Sequence, residues 1–306
     1  MRLLLFLTAA ALCAAGPTLR AADETPPRIP LWPEGVPDQK TDAAPDVETA
    51  DHVSAVHTPT LTYFPAPAGQ DGGAAVIVCP GGGYLRLSWT KEGTEIARWF
   101  NSLGVSAFVL RYRAVEYGHP APVRDVTQAV RFVRAHAEHY RLRPDRIGVL
   151  GFSAGGHLAS CAATMWDDPV ARTGGALDAV SARPDFALLI YPVITMKDPF
   201  AHAGSRERLL GVSPTPEMIE ALSTETRVNA QTPPVFLMAT MEDKTVPVEN
   251  SLMFYQALRR SGVAAEMHLY QSGPHGVGLR PGHIAATEWP KAAEAWMRLN
   301  GWLAPD

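Results

Sequence analysis

Cysteine is scarce, with three residues in 306. Cys13 falls in an N-terminal apolar run, while Cys79 and Cys161 show no metal-ligand spacing and read as buried apolar side chains, with no disulfide indicated. An excess of charge of one sign is also missing, because 27 Lys+Arg stand against 31 Asp+Glu for a net charge of −4. That balance offers no basic footprint for nucleic acid. Past the N-terminus no apolar run approaches the roughly 20 residues of a membrane-spanning helix, so membrane insertion is not expected. There is no internal repeat and no low-complexity linker. What is present, 46% hydrophobic and 8% aromatic residues, excludes wholesale disorder and suffices for one large domain or two small ones.

Met1-Arg2, the apolar stretch Leu3 to Ala15 and the small residues at Ala21-Ala22 read as a secretory signal peptide over residues 1–22, implying a secreted or periplasmic bacterial protein. Leu12 stands where a lipid-modification site at Cys13 would want a small residue. Residues 23–60 carry Pro26, Pro27, Pro30, Pro33 and Pro37, too closely spaced for a helix or an inner strand, and are expected as an extended arm on the body. From residue 61 onward short apolar runs alternate with helix-periodic stretches. The runs are Leu61 to Phe64, Ala74 to Cys79, Ser106 to Tyr112, Arg146 to Leu150, Phe186 to Tyr191, Val235 to Ala239 and Glu266 to Tyr270. Their near-continuous apolarity is that of parallel strands covered on both faces. Helices are expected over Thr94 to Leu103, Val123 to Tyr140, His157 to Met165, Asn250 to Ser261 and Ala286 to Leu303. In the second of these, positions 126, 129, 130 and 133 form an apolar stripe, with Arg131 and Arg134 on the other side. The alternation predicts an α/β chain with a doubly wound, mostly parallel sheet and helices on both faces. Residues 194–232, with a helical patch near Glu217 to Leu222, interrupt it as a lid-like or rim insertion.

The strongest chemical pattern is Gly151-Phe152-Ser153-Ala154-Gly155, between an apolar strand and a helix. A strand that turns sharply into a helix crowds the backbone on both sides of the central residue, and glycines at the flanks relieve it. The serine is then exposed at the tip, beside the unpaired N–H groups of a helix N-terminus. A serine hydroxyl needs a base, and the base an orienting carboxylate. Both follow in loops just past later strands: Glu242-Asp243 after Val235 to Ala239, and His275 after Tyr270. Asp243 is preferred to its neighbour Glu242 as the acid, and His275 to His283 as the base, while His157 is expected to pack or hydrogen-bond near the serine. The loop Cys79-Pro80-Gly81-Gly82-Gly83-Tyr84 follows another strand. Its backbone can approach a ligand oxygen closely, and no Gly-Lys-Ser/Thr ending follows that would mark a phosphate loop. The N–H groups of Gly82, Gly83 and Ala154 are the expected oxyanion donors.

Pro80-Gly81-Gly82-Gly83-Tyr84, Lys91-Glu92-Gly93, Gly151 to Leu158, Asp243 to Ser251 and His275-Gly276 together resemble the α/β-hydrolase superfamily, in its bacterial acetylxylan-esterase-like branch. The resemblance runs from Leu31-Trp32-Pro33 onward and departs from the wider lipase pattern in Pro80, where a His usually precedes the three glycines. It implies Ser153 as nucleophile, Asp243 as acid, His275 as base and an oxyanion hole from Gly81 to Gly83 with Ala154. It also implies a serine esterase that needs neither metal nor cofactor and removes acetyl groups from polysaccharides or oligosaccharides through an acyl-enzyme. Tyr84 and Trp89 are candidate contacts to that acetylated carbohydrate, Trp89 as a sugar-stacking face, with Trp166 and Trp289 less well placed. The alternatives are a general carboxylesterase on small acyl esters, a peptidase of the same fold, or a binding module with a broken triad.

Overall fold

The computed structural model describes residues 26–42, 45–70 and 72–303. The expected signal peptide lies outside them. The proline-rich arm supplies β1 (Arg28–Pro30) and a short antiparallel ladder of β2 (Val47–Glu48) with β3 (Val53–Ser54). The arm is thus not merely laid on the body, because β1 pairs antiparallel at the sheet edge, where a proline costs no ladder bond. Next come β4 (Thr60–Phe64), β5 (Ala75–Cys79), β6 (Ser106–Arg111), β7 (Ile147–Phe152), β8 (Ala187–Ile190), β9 (Val235–Thr240) and β10 (Ala265–Tyr270). The eight-stranded sheet has the order β1-β4-β6-β5-β7-β8-β9-β10. From β6 to β10 every pairing is parallel, but β4 runs antiparallel to β6. Its Thr-Leu-Thr-Tyr-Phe pattern is less uniformly buried than the all-buried Ala-Val-Ile-Val-Cys of β5.

The helices are α1 (Glu95–Ser102), α2 (Ala121–Ala135), α3 (Ser153–Thr164), α4 (Ala203–Leu210), α5 (Pro216–Ala221), α6 (Glu249–Arg260) and α7 (Ile284–Leu299). Helix α3 begins at Ser153, four residues before the expected His157, and two C-terminal ends also differ from expectation for local reasons. Helix α2 stops at Ala135, short of Tyr140, and the chain turns through Arg141 at φ +56°. Helix α7 stops before Asn300, because Gly301 at φ +75° turns Trp302 N–H back onto Met297 O, a glycine-based C-terminal cap. The stripe at Val126, Ala129, Val130 and Val133 is buried. Arg131 is buried too, contrary to its expected outer position: its guanidinium donates to Ala171 O at 2.8 Å, under the segment that follows α3. The insertion between β8 and β9 holds the expected α5 and also α4, whose low-periodicity sequence gives no amphipathic signal.

A buried ion pair fastens the arm to the body. Arg113 and Asp125 are both fully buried, and Asp125 accepts from Arg113 Nη2 at 2.8 Å, from Arg113 N at 2.9 Å and from Trp32 Nε1 at 2.9 Å. Removing one partner strands the other charge away from water. Asp125→Ala is therefore expected to destabilise the fold by about 3–5 kcal/mol, read as a lowered denaturant midpoint.

The strand order reverses at β5. Chain succession runs outward from β5 to β6, then returns to the other side of β5 with β7, so the loops after β5 and β7 part at a switch point. Open α/β sheets place ligands in that crevice. Cys79 and Gly151 are register partners at its base.

Candidate active site

Five loops at the carboxyl edge of the sheet build the site, following β5, β7, β8, β9 and β10. At the end of β7, Ser153 takes φ +54° in a left-handed backbone that L-residues avoid. The turn is tight enough that a Cβ on Gly155 would stand 2.1 Å from Cys79 O, and one on Gly151 2.0 Å from Gly155 O. Glycine is obligatory at both flanks. Ala154 follows as the second residue of α3, so its N–H has no intrahelical acceptor.

His275 Nε2 lies 2.8 Å from Ser153 Oγ, and His275 Nδ1 lies 2.6 Å from Asp243 Oδ2. An ionised carboxylate only accepts, so Nδ1 carries the proton and Nε2 is left to accept from the serine hydroxyl. Asp243 Oδ1 is fixed separately, accepting from Thr245 N at 2.8 Å and Val246 N at 2.9 Å. Its side chain is only 2% exposed. Glu242, its neighbour, turns away and accepts from Ser272 Oγ and Gly273 N, bracing the histidine loop. The exposed His283, which precedes α7, shares a neighbouring hollow with Asp243 but makes no bond to Ser153.

The glycine loop stands opposite. Gly82 and Gly83, both at positive φ, line a cleft of about 250 Å³ together with Ser153 and His275. The third glycine does not belong with them. Gly81 N–H donates to the Glu92 carboxylate at 3.0 Å, so it is not turned to a ligand oxygen as the resemblance implied. The insertion walls another side, with His202 in the cleft and Arg208 Nη1 donating to Gly83 O at 3.0 Å.

Both expected carbohydrate contacts are corrected by burial. Tyr84 is 1% exposed, and its hydroxyl lies 2.8 Å from His157 Nδ1 beneath the glycine loop. His157 donates Nε2–H to Leu222 O at 2.7 Å, so Nδ1 accepts from the tyrosine. Burial pushes the His157 pKa down to about 4, which keeps that relay neutral. Trp89 is 7% exposed and lies under the Arg111 guanidinium, 5.2 Å from the ring centroid. It is core, not a sugar platform. Trp289 is also buried, its Nε1 donating to Gly278 O at 2.9 Å. The sequence reading missed the residues that do line the cleft, His52, Arg86 and His202, because each stands in a loop without a local motif.

The sequence model of the BD-FAE family matches residues 62–258. An acetylxylan esterase of Xylanibacter ruminicola is 37% identical over 211 residues, 68% of this chain and 42% of that protein. Endo-1,4-beta-xylanase B of Butyrivibrio fibrisolvens is 38% identical over 207 residues, 66% of this chain and 32% of that protein. The chain therefore spans less than half the length of these two relatives. Among solved structures, an acetyl ester-xyloside bifunctional hydrolase from Caldicellulosiruptor lactoaceticus superposes with a TM-score of 0.82 at 39% identity, covering 92% of this chain and 100% of that one. The carboxylesterase Cest-2923 of Lactobacillus plantarum gives 0.68 at 26% identity, covering 86% and 98%. With a family match over most of its length and an eight-stranded, mostly parallel sheet of the same architecture as these hydrolases, the chain belongs to the BD-FAE family and has the α/β-hydrolase fold.

Proposed function

We propose that the protein is a serine carboxylic-ester hydrolase that removes acetyl groups from xylan-type polysaccharides or their oligosaccharides. The observation that carries the reading is the unbroken hydrogen-bond chain Ser153–His275–Asp243, at 2.8 and 2.6 Å, facing Gly82 and Gly83 across the cleft. In this reading Ser153 Oγ attacks the acetyl carbonyl while His275 Nε2 takes its proton, and Asp243 holds the imidazole and balances the cation that forms. The carbonyl oxygen, now an anion, is met by the N–H groups of Gly82, Gly83 and Ala154. His275 then returns the proton to the sugar oxygen as the C–O bond breaks, and water repeats the cycle on the acyl-enzyme. The expected N-terminal leader would export the enzyme to where such glycans are met.

A cleft of about 250 Å³ suits a small acyl group. Its walls offer His52, Arg86, Lys91 and His202, donors fitted to a hydroxyl-rich leaving group. The likeness to an acetylxylan esterase and to an acetyl ester-xyloside hydrolase supports the sugar assignment. The likeness to a carboxylesterase supports a second reading, a general esterase on small acyl esters. One experiment separates them: acetate release from acetylated xylan and xylo-oligosaccharides beside a 4-nitrophenyl ester series. The acetyl ester is expected to give the highest kcat/KM, falling about tenfold by the hexanoate. A maximum at hexanoate or longer excludes a deacetylase, and an acetyl maximum without acetate release from the glycans selects the general esterase.

A further inference from the structure

Glu92 takes no part in the reaction just described, yet the Lys91-Glu92-Gly93 segment puts its buried carboxylate at the centre of the site. Glu92 is 3% exposed and stands in a five-residue π-helical turn, Thr90–Thr94, that leads into α1. Such local widenings recur at functional sites. Glu92 Oε2 accepts the Gly81 N–H and Oε1 accepts the Tyr191 O–H, each at 3.0 Å. Tyr191 Oη in turn accepts the Gly278 N–H at 3.1 Å, and its ring meets the His275 ring edge-on at a centroid distance of 5.0 Å. One carboxylate thereby ties together the glycine loop, the end of β8 and the histidine loop. Lys91 adds a direct tie, its Nζ donating to Gly276 O at 2.8 Å.

The surrounding backbone is shaped to this seat. A Cβ on Gly81 would lie 2.7 Å from Glu92 Oε2 and 2.6 Å from Phe152 O, so glycine is what lets the carboxylate approach. Tyr191 holds φ +38°, a conformation that persists in a non-glycine residue only where its surroundings over-determine it. Its hydroxyl is engaged on both sides. Burial pushes the Glu92 carboxyl above its ordinary range, against the opposing pull of Lys91, the Tyr191 hydroxyl and His275. Two hydrogen-bond donors pointing at its oxygens suit the ionised form.

We propose that Glu92 is a positioning residue: it draws the Gly81 N–H away from the cleft so that those of Gly82 and Gly83 face the substrate, and through Tyr191 it fixes the loop that carries His275. This rests on the serine-esterase reading above. His275 faces Asp243 from the loop after β9, Glu92 and Lys91 from the π-helical turn, and His202 from the insertion. Glu92→Gln removes one of the two negative charges in that set and turns an amide N–H toward a donor. Loss of a carboxylate beside an imidazole disfavours its protonated form, so the acid limb of kcat/KM moves to lower pH.

The test assays Glu92→Gln, Tyr191→Phe and Ser153→Ala on 4-nitrophenyl acetate from about pH 4 to pH 9, with thermal unfolding alongside. Glu92→Gln is expected to lower kcat about 30-fold with KM within about threefold, and to move the acid limb down by about half a pH unit. Tyr191→Phe is expected to lower kcat about fivefold and leave the limb in place. A folded Glu92→Gln enzyme with kcat within about threefold of wild type, or with an unmoved limb, overturns the inference. If Glu92→Gln does not fold, Tyr191→Phe decides, and an unchanged kcat overturns it. Ser153→Ala separates the two levels of the argument. If that variant stays active, the serine reading itself fails; if it is dead while Glu92→Gln behaves as wild type, only the role of Glu92 is lost.

Discussion

Ser153→Ala is expected to lower kcat on 4-nitrophenyl acetate by about 10⁵–10⁶-fold while leaving the protein folded. The size follows from what the hydroxyl alone supplies. Among the described residues no other nucleophile bonds to His275 Nε2, and in the proposed mechanism the loss of Oγ closes the covalent route, leaving only what the backbone donors do for attack by water. The fold is spared because the substitution changes little of the packing: Ser153 is 5% exposed, and alanine meets the same left-handed strain at φ +54° that serine already bears. The lost hydrogen bond contributes about 1 kcal/mol, and His275 Nε2 can turn to water in the cleft. Matched unfolding curves beside a collapsed rate are the signature sought. A rate within about 100-fold of wild type would remove Ser153 from the chemistry.

The parts of this site that sequence makes readable are those whose chemistry is local. Gly151 to Gly155 declares a strand-to-helix elbow because both flanking glycines answer to backbone atoms within the turn or beside it, and the loops after β9 and β10 announce themselves by position at strand ends. Parallel strands likewise follow from continuous apolar runs, and only β4 departs in direction. What stays hidden depends on partners far along the chain. Lys91-Glu92-Gly93 contributes to the family resemblance, but no role for Glu92 is legible until Tyr191, 99 residues on, closes its hydrogen bond. Trp89 and Tyr84 look available because they adjoin the glycine loop, but the Arg111 side chain and His157, from other elements, decide their burial. Helix periodicity alone places Arg131 on the side opposite the apolar stripe. A periodicity names one buried face and is silent about a segment such as that around Ala171 covering the other.

Asp243→Asn is expected to lower kcat/KM about 10⁴-fold, while Glu242→Gln, one residue away, stays within about tenfold of wild type. The asymmetry is written in the hydrogen bonds of the acid. Asp243 Oδ1 receives two backbone N–H donors, from Thr245 and Val246, and an asparagine must keep its carbonyl oxygen there or leave both donors unpaired. That orientation turns its NH₂ toward His275 Nδ1, where Asp243 Oδ2 now sits at 2.6 Å. An amide N–H donating to Nδ1 forces the ring proton onto Nε2, and Nε2–H faces Ser153 as a donor instead of an acceptor. The imidazole is then held in place in the wrong tautomer, unable to take the serine proton. Glu242 has no such hold, since its carboxylate meets Ser272 and Gly273 and bonds neither His275 nor Ser153. Steady-state kinetics on 4-nitrophenyl acetate for the two variants measure the contrast directly. A larger loss in Glu242→Gln than in Asp243→Asn would mean that the histidine takes its orientation from the other carboxylate.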